Sequence, residues 1–94
     1  MPVTPRVIAF TAAVEAQRSV LDASRVLSGT PECTVWNHYA DPSEQFFAGI
    51  WSATRGRWTV RYTEHEFCHL LAGRVVLTSE SGERLEFSRG DSFV

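Results

Sequence analysis

Turn glycines recur at a short, regular interval through the second half of the chain. Gly73, Gly82 and Gly90 are nine and eight residues apart, and runs of β-branched and aromatic residues lie between them. This spacing is typical of consecutive hairpins in a sandwich or barrel, because one short strand and its turn occupy about that length. The pattern therefore predicts an all-β fold.

The strand-like runs begin at Cys33, where the composition changes from Ala- and Ser-rich to rich in β-branched and aromatic residues. We predict strands in CTVWNHY, FFAGIWSAT, WTVRYT, EFCHLL, RVVLT, RLEF and SFV, separated by turn letters that include DPSEQ and RGR at Gly56. In WTVRYT, the period of two places Trp58, Val60 and Tyr62 on one face.

The first part of the chain is a different kind of sequence. Residues 1–32 contain apolar positions that follow a helical period only loosely, and GTPE ends the segment. We predict an N-terminal arm over residues 1–32 and a β-domain over residues 33–94. The arm either holds one short helix, capped by Thr11, or runs extended along the domain surface.

Composition limits the class of protein. Ninety-four residues that are 44% hydrophobic suffice for one small domain, and a net charge of −2 with mixed signs gives no electropositive face for nucleic acid or anionic membrane. Two cysteines are too few for a disulfide framework. The apolar stretch VIAFTAAVEA falls short of the roughly 20 residues of a membrane span and lacks the features of a secretion signal. We expect a cytoplasmic protein.

His65 to His69 spell H-E-x-x-H, which on a helix is the zinc-binding signature of a metalloprotease. Strand-type sequence brackets the pattern closely on both sides, and no histidine follows His69 as a third ligand. On a strand, residues four apart are separated by about 13 Å, too far for two imidazoles to reach one zinc at about 2.1 Å. We interpret the peptidase motif as coincidental.

The same region fits another pattern. Six residues separate Glu66 from Gly73, and a strand, the Gly82 hairpin, another strand and GDSFV follow. The remaining matching residues are Gly49, Ile50 and Trp51; Tyr62, Thr63 and Glu64; Phe67 and Cys68; and Leu71. Over about residues 46–94 the chain resembles the cupin family, and within it the small single-domain cupins related to (S)-ureidoglycine aminohydrolase. The resemblance implies a jelly-roll β-barrel, often dimeric, with a ligand pocket in the barrel mouth and commonly a divalent metal held by three His and one Glu.

The chain departs from that family at the metal ligands. Counting back from Glu66, the first two family histidines fall at Thr59 and Arg61 or at Val60 and Tyr62, and neither register contains a histidine. We therefore predict no cofactor, with a divalent metal as the lesser alternative. The family pattern continues past the point where this sequence stops, so we expect either a longer chain or a partner subunit, most simply a homodimer, to complete the barrel.

Glu66 is the central candidate, as a metal ligand, a general acid or base, or a hydrogen-bond acceptor for a ligand. Its structural alternative is an ion pair with Arg61 or Arg74. Tyr62 either donates a hydrogen bond in the pocket or packs with its hydroxyl at the rim. Cys68 shares the strand parity of Glu66 and is either a nucleophile or a small core residue. Arg61 either clamps a substrate carboxylate or is solvated.

Aromatic residues and histidines complete the candidates. Trp51 and Trp58 either line an apolar pocket or fill the core between sheets. His38, His65 and His69 are interpreted as surface or interface residues.

Two functions remain open at this point. The first is a metal-free module that binds a small polar metabolite in the barrel pocket. The second is a small hydrolase or isomerase-like enzyme of the aminohydrolase-related cupins, with Glu66 central and Tyr62 or Arg61 orienting a nitrogenous or carboxylate substrate. The absent histidines favour the first and the resemblance favours the second.

Overall fold

A computed structural model of the chain describes residues 7–94. This range contains nine β-strands, one turn of 3-10 helix at Ala23–Arg25 and no α-helix, so the predicted all-β fold is confirmed. The strands are β1 (Gln17–Val20), β2 (Val26–Gly29), β3 (Glu32–Ala40), β4 (Phe47–Ala53), β5 (Gly56–Trp58), β6 (Cys68–His69), β7 (Arg74–Thr78), β8 (Arg84–Ser88) and β9 (Ser92–Phe93). No helix among these residues is long and apolar enough to cross a membrane.

The chain divides into two compact units between Val60 and Arg61. The first unit is a hairpin within a hairpin: β3 pairs with β4, while β2 and β5, which flank them in sequence, pair with each other. β1 adds a third antiparallel strand to β3. Strands that pass from one ladder to another through a bend are how sheets turn corners.

The second unit repeats this topology. β7 and β8 form the inner hairpin, and β6 pairs with β9 outside it, with Cys68 opposite Phe93. The rings of Phe87 and Phe93 stack with centroids 4.3 Å apart, which links the inner ladder to the outer one. Within residues 7–94 the ladders of the chain are not joined further by strand pairing, so the pairing itself does not close a barrel.

The corner of the first unit is a close contact between Pro31 and Gly56. Pro31 is fully buried, and a Cβ built on Gly56 would lie only 2.8 to 2.9 Å from three atoms of the proline ring. Thr54 holds the other side of the corner, since its hydroxyl accepts a hydrogen bond from the Glu32 amide at 2.8 Å. Only glycine therefore fits at position 56.

The predicted turns at Gly73, Gly82 and Gly90 are confirmed, and all three glycines have positive φ. Gly82 closes the β7–β8 hairpin. The expectation that all three close consecutive hairpins is wrong for the other two, because the strands on either side of Gly73 and of Gly90 do not pair with each other. Backbone hydrogen bonds from Gly90 to the Leu70 carbonyl and from Leu70 to the Asp91 carbonyl, both 2.9 Å, make these turns a corner instead.

The third predicted strand is also wrong in its extent. The observed strand β5 begins at Gly56, where a turn was predicted, and ends at Trp58; residues 59–67 contain no strand. Trp58 pairs with Val26, the first residue of β2, and the Thr59 amide then bonds the Arg25 carbonyl in the 3-10 turn. The ladder ends there because no further strand is present to pair with residues 60–63.

The segment predicted as an arm contains the strands β1 and β2 and one turn of 3-10 helix at Ala23–Arg25. β1 and β2 pair with β3 and β5, and Thr11 lies in a turn, not at the start of an α-helix. Residues 1–6 of that prediction lie outside the described residues. The boundary at residue 33 stays a prediction.

The second unit shows the alternation expected of a half-covered antiparallel sheet. Val75, Leu77 and Phe87 are half-buried on one face of β7–β8. On the other face the Arg74 guanidinium pairs with the Glu86 carboxylate at 2.9 Å. The two-residue period thus separates a packing face from a charged face.

Replacing Gly56 with alanine tests the first corner. We expect Gly56→Ala to lower the free energy of unfolding by about 1–3 kcal/mol, because the buried proline ring cannot yield to the new methyl group. Urea unfolding would measure the change. Gly82→Asn is the control, because position 82 has open space and asparagine tolerates positive φ. Equal stability of Gly56→Ala and the natural protein would contradict the tight corner.

The loop between β3 and β4 is held by Asp41 and yields a pH prediction. Its carboxylate accepts hydrogen bonds from the Ser43 hydroxyl and from the Gln45 and Phe46 amides, the two amides at 2.8 Å. Chiefly the Ser43 hydroxyl, and then the Phe46 amide, hold the pKa of Asp41 below its ordinary value.

The folded pKa is thus below the unfolded one, so this stabilisation is complete above the ordinary carboxyl pKa near about 4 and is lost as the pH falls through the lowered value. An NMR titration should give Asp41 a lowered pKa, and Ser43→Ala should move it back toward the ordinary value. An ordinary pKa in the natural protein would contradict the loop geometry.

Candidate functional site

Three of the predicted site residues lie together in the second unit. Tyr62 and Glu66 belong to the irregular segment before β6, and Cys68 is the first residue of that strand. Glu66 is exposed, Tyr62 is 53% exposed and Cys68 is half-buried. The carboxylate is close enough to both neighbours for its charge to act on their ionisation.

The electrostatics of this cluster keep two groups neutral. Burial raises the pKa of the Tyr62 hydroxyl, and the negative charges of Glu66 and Cys68 raise it further. Burial also raises the pKa of the Cys68 thiol, with Glu66 as the second cause. At neutral pH the cluster therefore presents a phenol that can donate a hydrogen bond and a thiol that is not activated as a thiolate.

The ion pairs expected as the structural alternative for Glu66 do not occur among residues 7–94. Arg74 pairs with Glu86, to which Arg84 also comes within 3.9 Å. Arg61 is exposed at the start of the second unit. The Glu66 carboxylate makes no ion pair within the described residues, so its oxygens are available to a ligand.

The histidines of the H-E-x-x-H pattern are not on a helix. His65 and Glu66 lie in the irregular segment, and Cys68 and His69 form β6. The prediction that Cys68 shares the strand parity of Glu66 is therefore wrong, because Glu66 is not in a strand. His69 is occupied locally, with its Nδ1 atom 2.6 Å from the Ser92 hydroxyl. No group of three His, Cys, Asp or Glu side chains converges into a metal site in the described part of the chain.

Trp51 and Trp58, the two predicted pocket tryptophans, lie in the first unit and contact each other. Their ring centroids are 6.4 Å apart with planes inclined by 56°, an ordinary tilted aromatic pair. Trp51 is 51% exposed and Trp58 is half-buried. The pair therefore leaves part of its aromatic surface exposed and does not fill a sealed core.

Asp91 has a structural role in the second unit. Its carboxylate accepts a hydrogen bond from the Ser88 amide at 2.8 Å, across the Gly90 turn. A short carboxylate that bonds a backbone amide in this way stabilises the turn.

A shallow cavity of about 390 Å³, largely open to solvent, lies in the first unit and was not predicted from the sequence. Its lining consists of Phe10, Ala12, Ala13, Val14, Trp36, His38 and Ile50, and includes none of the candidate site residues. His38, interpreted as a surface or interface residue, is half-buried, and its Nδ1 atom is buried without a hydrogen-bond partner among the described residues. The β3–β4 register shifts between Asn37 and Tyr39, so His38 is the extra residue of a β-bulge.

Sequence reasoning missed this cavity for a physical reason. Trp36 and His38 are two apart on one strand, which is the period of one sheet face, and this was the available signal. What covers that face is the irregular segment 10–14, and no local pattern tells where an irregular segment packs.

Comparison with known proteins assigns the chain to a family. The family model of the EutQ-like cupin domain matches residues 40–94, which is more than half of the chain. The matched region contains Glu66, Gly73, Gly82 and Gly90. No curated protein and no solved structure matches the chain significantly. The match agrees with the cupin resemblance drawn from Glu66, Gly73 and the GDSFV segment. The chain belongs to the EutQ-like cupin domain family.

Proposed function

We propose that this cupin domain binds a small polar metabolite through Glu66 without converting it. The observation that carries the proposal is the exposed Glu66 carboxylate, which makes no ion pair among the described residues and lies near the neutral Tyr62 hydroxyl. Membership of a cupin family supports small-molecule binding as the general function.

The chemistry of the cluster selects a class of ligand. A carboxylate accepts hydrogen bonds and attracts cations, and a neutral phenol donates one hydrogen bond and accepts another. A molecule that satisfies both carries several N–H donors and a carbonyl or carboxylate oxygen. The proposed ligand is therefore a small nitrogenous metabolite, such as a ureido or amino acid compound.

The proposal needs no metal ion. The positions where the cupin resemblance places the first two histidine ligands contain Thr59 and Arg61 or Val60 and Tyr62, according to register. None of these side chains is a usual ligand for zinc or another divalent transition metal. Recognition by hydrogen bonds and charge from Glu66 takes the place of coordination in this proposal.

The second candidate function is a small hydrolase or isomerase-like enzyme related to (S)-ureidoglycine aminohydrolase. It is favoured by the run of matching residues from Gly49 to Gly73, and Glu66 would act in it as general acid or base. The raised pKa of Cys68 argues against an enzyme that uses this thiol as its nucleophile, because little thiolate forms at neutral pH.

Thermal unfolding with N-carbamoylglycine and related ureido and amino acids tests both candidates. We expect at least one compound to raise the melting temperature by several degrees in a concentration-dependent way. Glu66→Gln should abolish the shift, and the neighbouring exposed Glu64→Gln should preserve it. Mass spectrometry of the recovered compound separates the candidates: an unchanged ligand supports binding and a converted one supports the enzyme. A shift that survives Glu66→Gln would contradict both.

Alkylation of Cys68 tests the electrostatics of the cluster. Because the Glu66 charge contributes to the raised pKa of the thiol, Glu66→Gln should lower that pKa and speed the reaction with iodoacetamide several-fold at pH 8. Peptide mass spectrometry distinguishes Cys68 from the buried Cys33. Glu64→Gln should leave the rate unchanged. An equal rate in the natural protein and Glu66→Gln would show that the carboxylate does not act on the thiol.

A further inference from the structure

We propose that one face of the β1–β3–β4 sheet is a second binding site, which takes a neutral, hydroxyl-rich ligand, that is, a short oligosaccharide. Trp51 and Phe47 are the platforms on which sugar rings lie, and the side-chain amides of Asn37 and Gln17 bind the hydroxyl groups. The site belongs to the first unit and does not depend on Glu66, which is in the second.

The strand register separates the two faces of this sheet. Directly opposite residues of antiparallel strands have their side chains on the same face, and successive residues alternate between faces. Gln17 is opposite Val35, and Val35 is opposite Trp51. This register places on one face the uncharged residues Gln17, Ser19, Cys33, Val35, Asn37, Phe47, Gly49, Trp51 and Ala53. We call it the neutral face.

The charges of the sheet are on its other face. Arg18 and Glu32 lie there, on β1 and β3. The polar side chains of the neutral face are those of Gln17, Ser19 and Asn37, and all three are exposed. Amides and hydroxyls match the hydroxyl groups of a sugar, which both donate and accept hydrogen bonds. An ionic ligand would lose water on this face without gaining a partner of opposite charge.

Two exposed aromatic side chains stand on the neutral face with a gap between them. Phe47 is 57% exposed and Trp51 is 51% exposed, and their positions on β4 are separated by about 13 Å. Gly49 lies between them and adds no side chain. The position is restricted to glycine, because a Cβ there would collide with the carbonyl oxygen of Trp36. The strand therefore presents a flat shelf between two rings.

Trp58 holds the Trp51 ring in place. The two ring centroids are 6.4 Å apart and the planes are inclined by 56°, so that the contact leaves half of Trp51 exposed. The negative face of an indole attracts polarised C–H groups such as those on the flat side of a sugar ring. A ring that is already held loses little conformational entropy when a ligand binds.

Other flat or apolar ligands match this face less well. Nucleic-acid bases also stack on aromatic side chains, but their phosphates require Lys or Arg nearby, and the neutral face has neither. A purely apolar ligand would cover the amides of Gln17 and Asn37 without satisfying their hydrogen bonds. A neutral oligosaccharide uses both the rings and the amides.

NMR titration of the isotope-labelled full chain with cellohexaose, maltohexaose and chitohexaose tests the proposal. We expect at least one of them to bind with a dissociation constant of about 1 mM and to shift the indole N–H signals of Trp51 and Trp58 and the side-chain amide signals of Asn37 and Gln17. Trp36 is the internal control, because it pairs with Ile50 on the other face, and its indole should not shift. No shift with any of the three sugars at about 10 mM, or an equal shift of Trp36, would overturn the proposal.

Variants locate the interaction. Trp51→Ala should lower the affinity about tenfold, because it removes a platform. Trp51→Tyr keeps a flat ring and should retain most of the affinity, and Asn37→Leu keeps the size but loses the amide and should weaken binding several-fold. These two variants test the site independently of any unfolding caused by loss of the Trp51–Trp58 contact.

Ile50→Val, on the other face, and Glu66→Gln, in the second unit, are the controls and should leave the affinity unchanged. The second control also separates the result from the Glu66 proposal. Unchanged affinity in both Trp51→Ala and Asn37→Leu would contradict the site. A dimer in sedimentation that Trp51→Ala dissociates, without binding of any sugar, would assign the neutral face to a second copy of the chain and overturn the proposal.

Discussion

The contact between Pro31 and Gly56 is the constraint on which the first unit depends. It places the bend between β2 and β3 directly against the bend between β4 and β5, so that both arms of one long hairpin turn at the same level. The register of the outer pair, with Gly29 opposite Gly56, follows from this contact. The second unit reaches the same topology by backbone hydrogen bonds between Leu70 and the Gly90 turn. Steric fit and hydrogen bonding thus achieve one result in two ways.

Local features of the sequence predicted the three turns of the second unit correctly, but not the strand that begins at Gly56. Gly73, Gly82 and Gly90 mark turns because their backbone adopts positive φ, which is a property of the residue and its immediate neighbours. Whether a turn closes a hairpin or forms a corner depends on which strands pair, and that is set by contacts distant in sequence. The early end of β5 also depends on a distant contact. Trp58 is the last residue of β5 because it pairs with Val26, the first residue of β2.

The same distinction between local and distant contacts applies to the candidate site residues. Glu66 became a candidate through the resemblance to cupins, and in the structure its charge raises the pKa of both Tyr62 and Cys68. The partial burial of His38 was not predicted, because it depends on a β-bulge in β3 and on the segment that covers it. Neither feature has a signature within the strand itself.

The nested hairpins have a consequence for the order of folding. The inner β7–β8 pair is closed by a short turn, and a loop of this length closes rapidly and with little loss of chain entropy. Once it has formed, residues 68 and 93 are no longer joined by a long free loop, because the inner ladder already brings the chain back on itself. The outer strands β6 and β9 can then pair with little further loss of chain entropy. Each unit therefore needs one local nucleus, and its long-range contacts are reached by short steps from that nucleus.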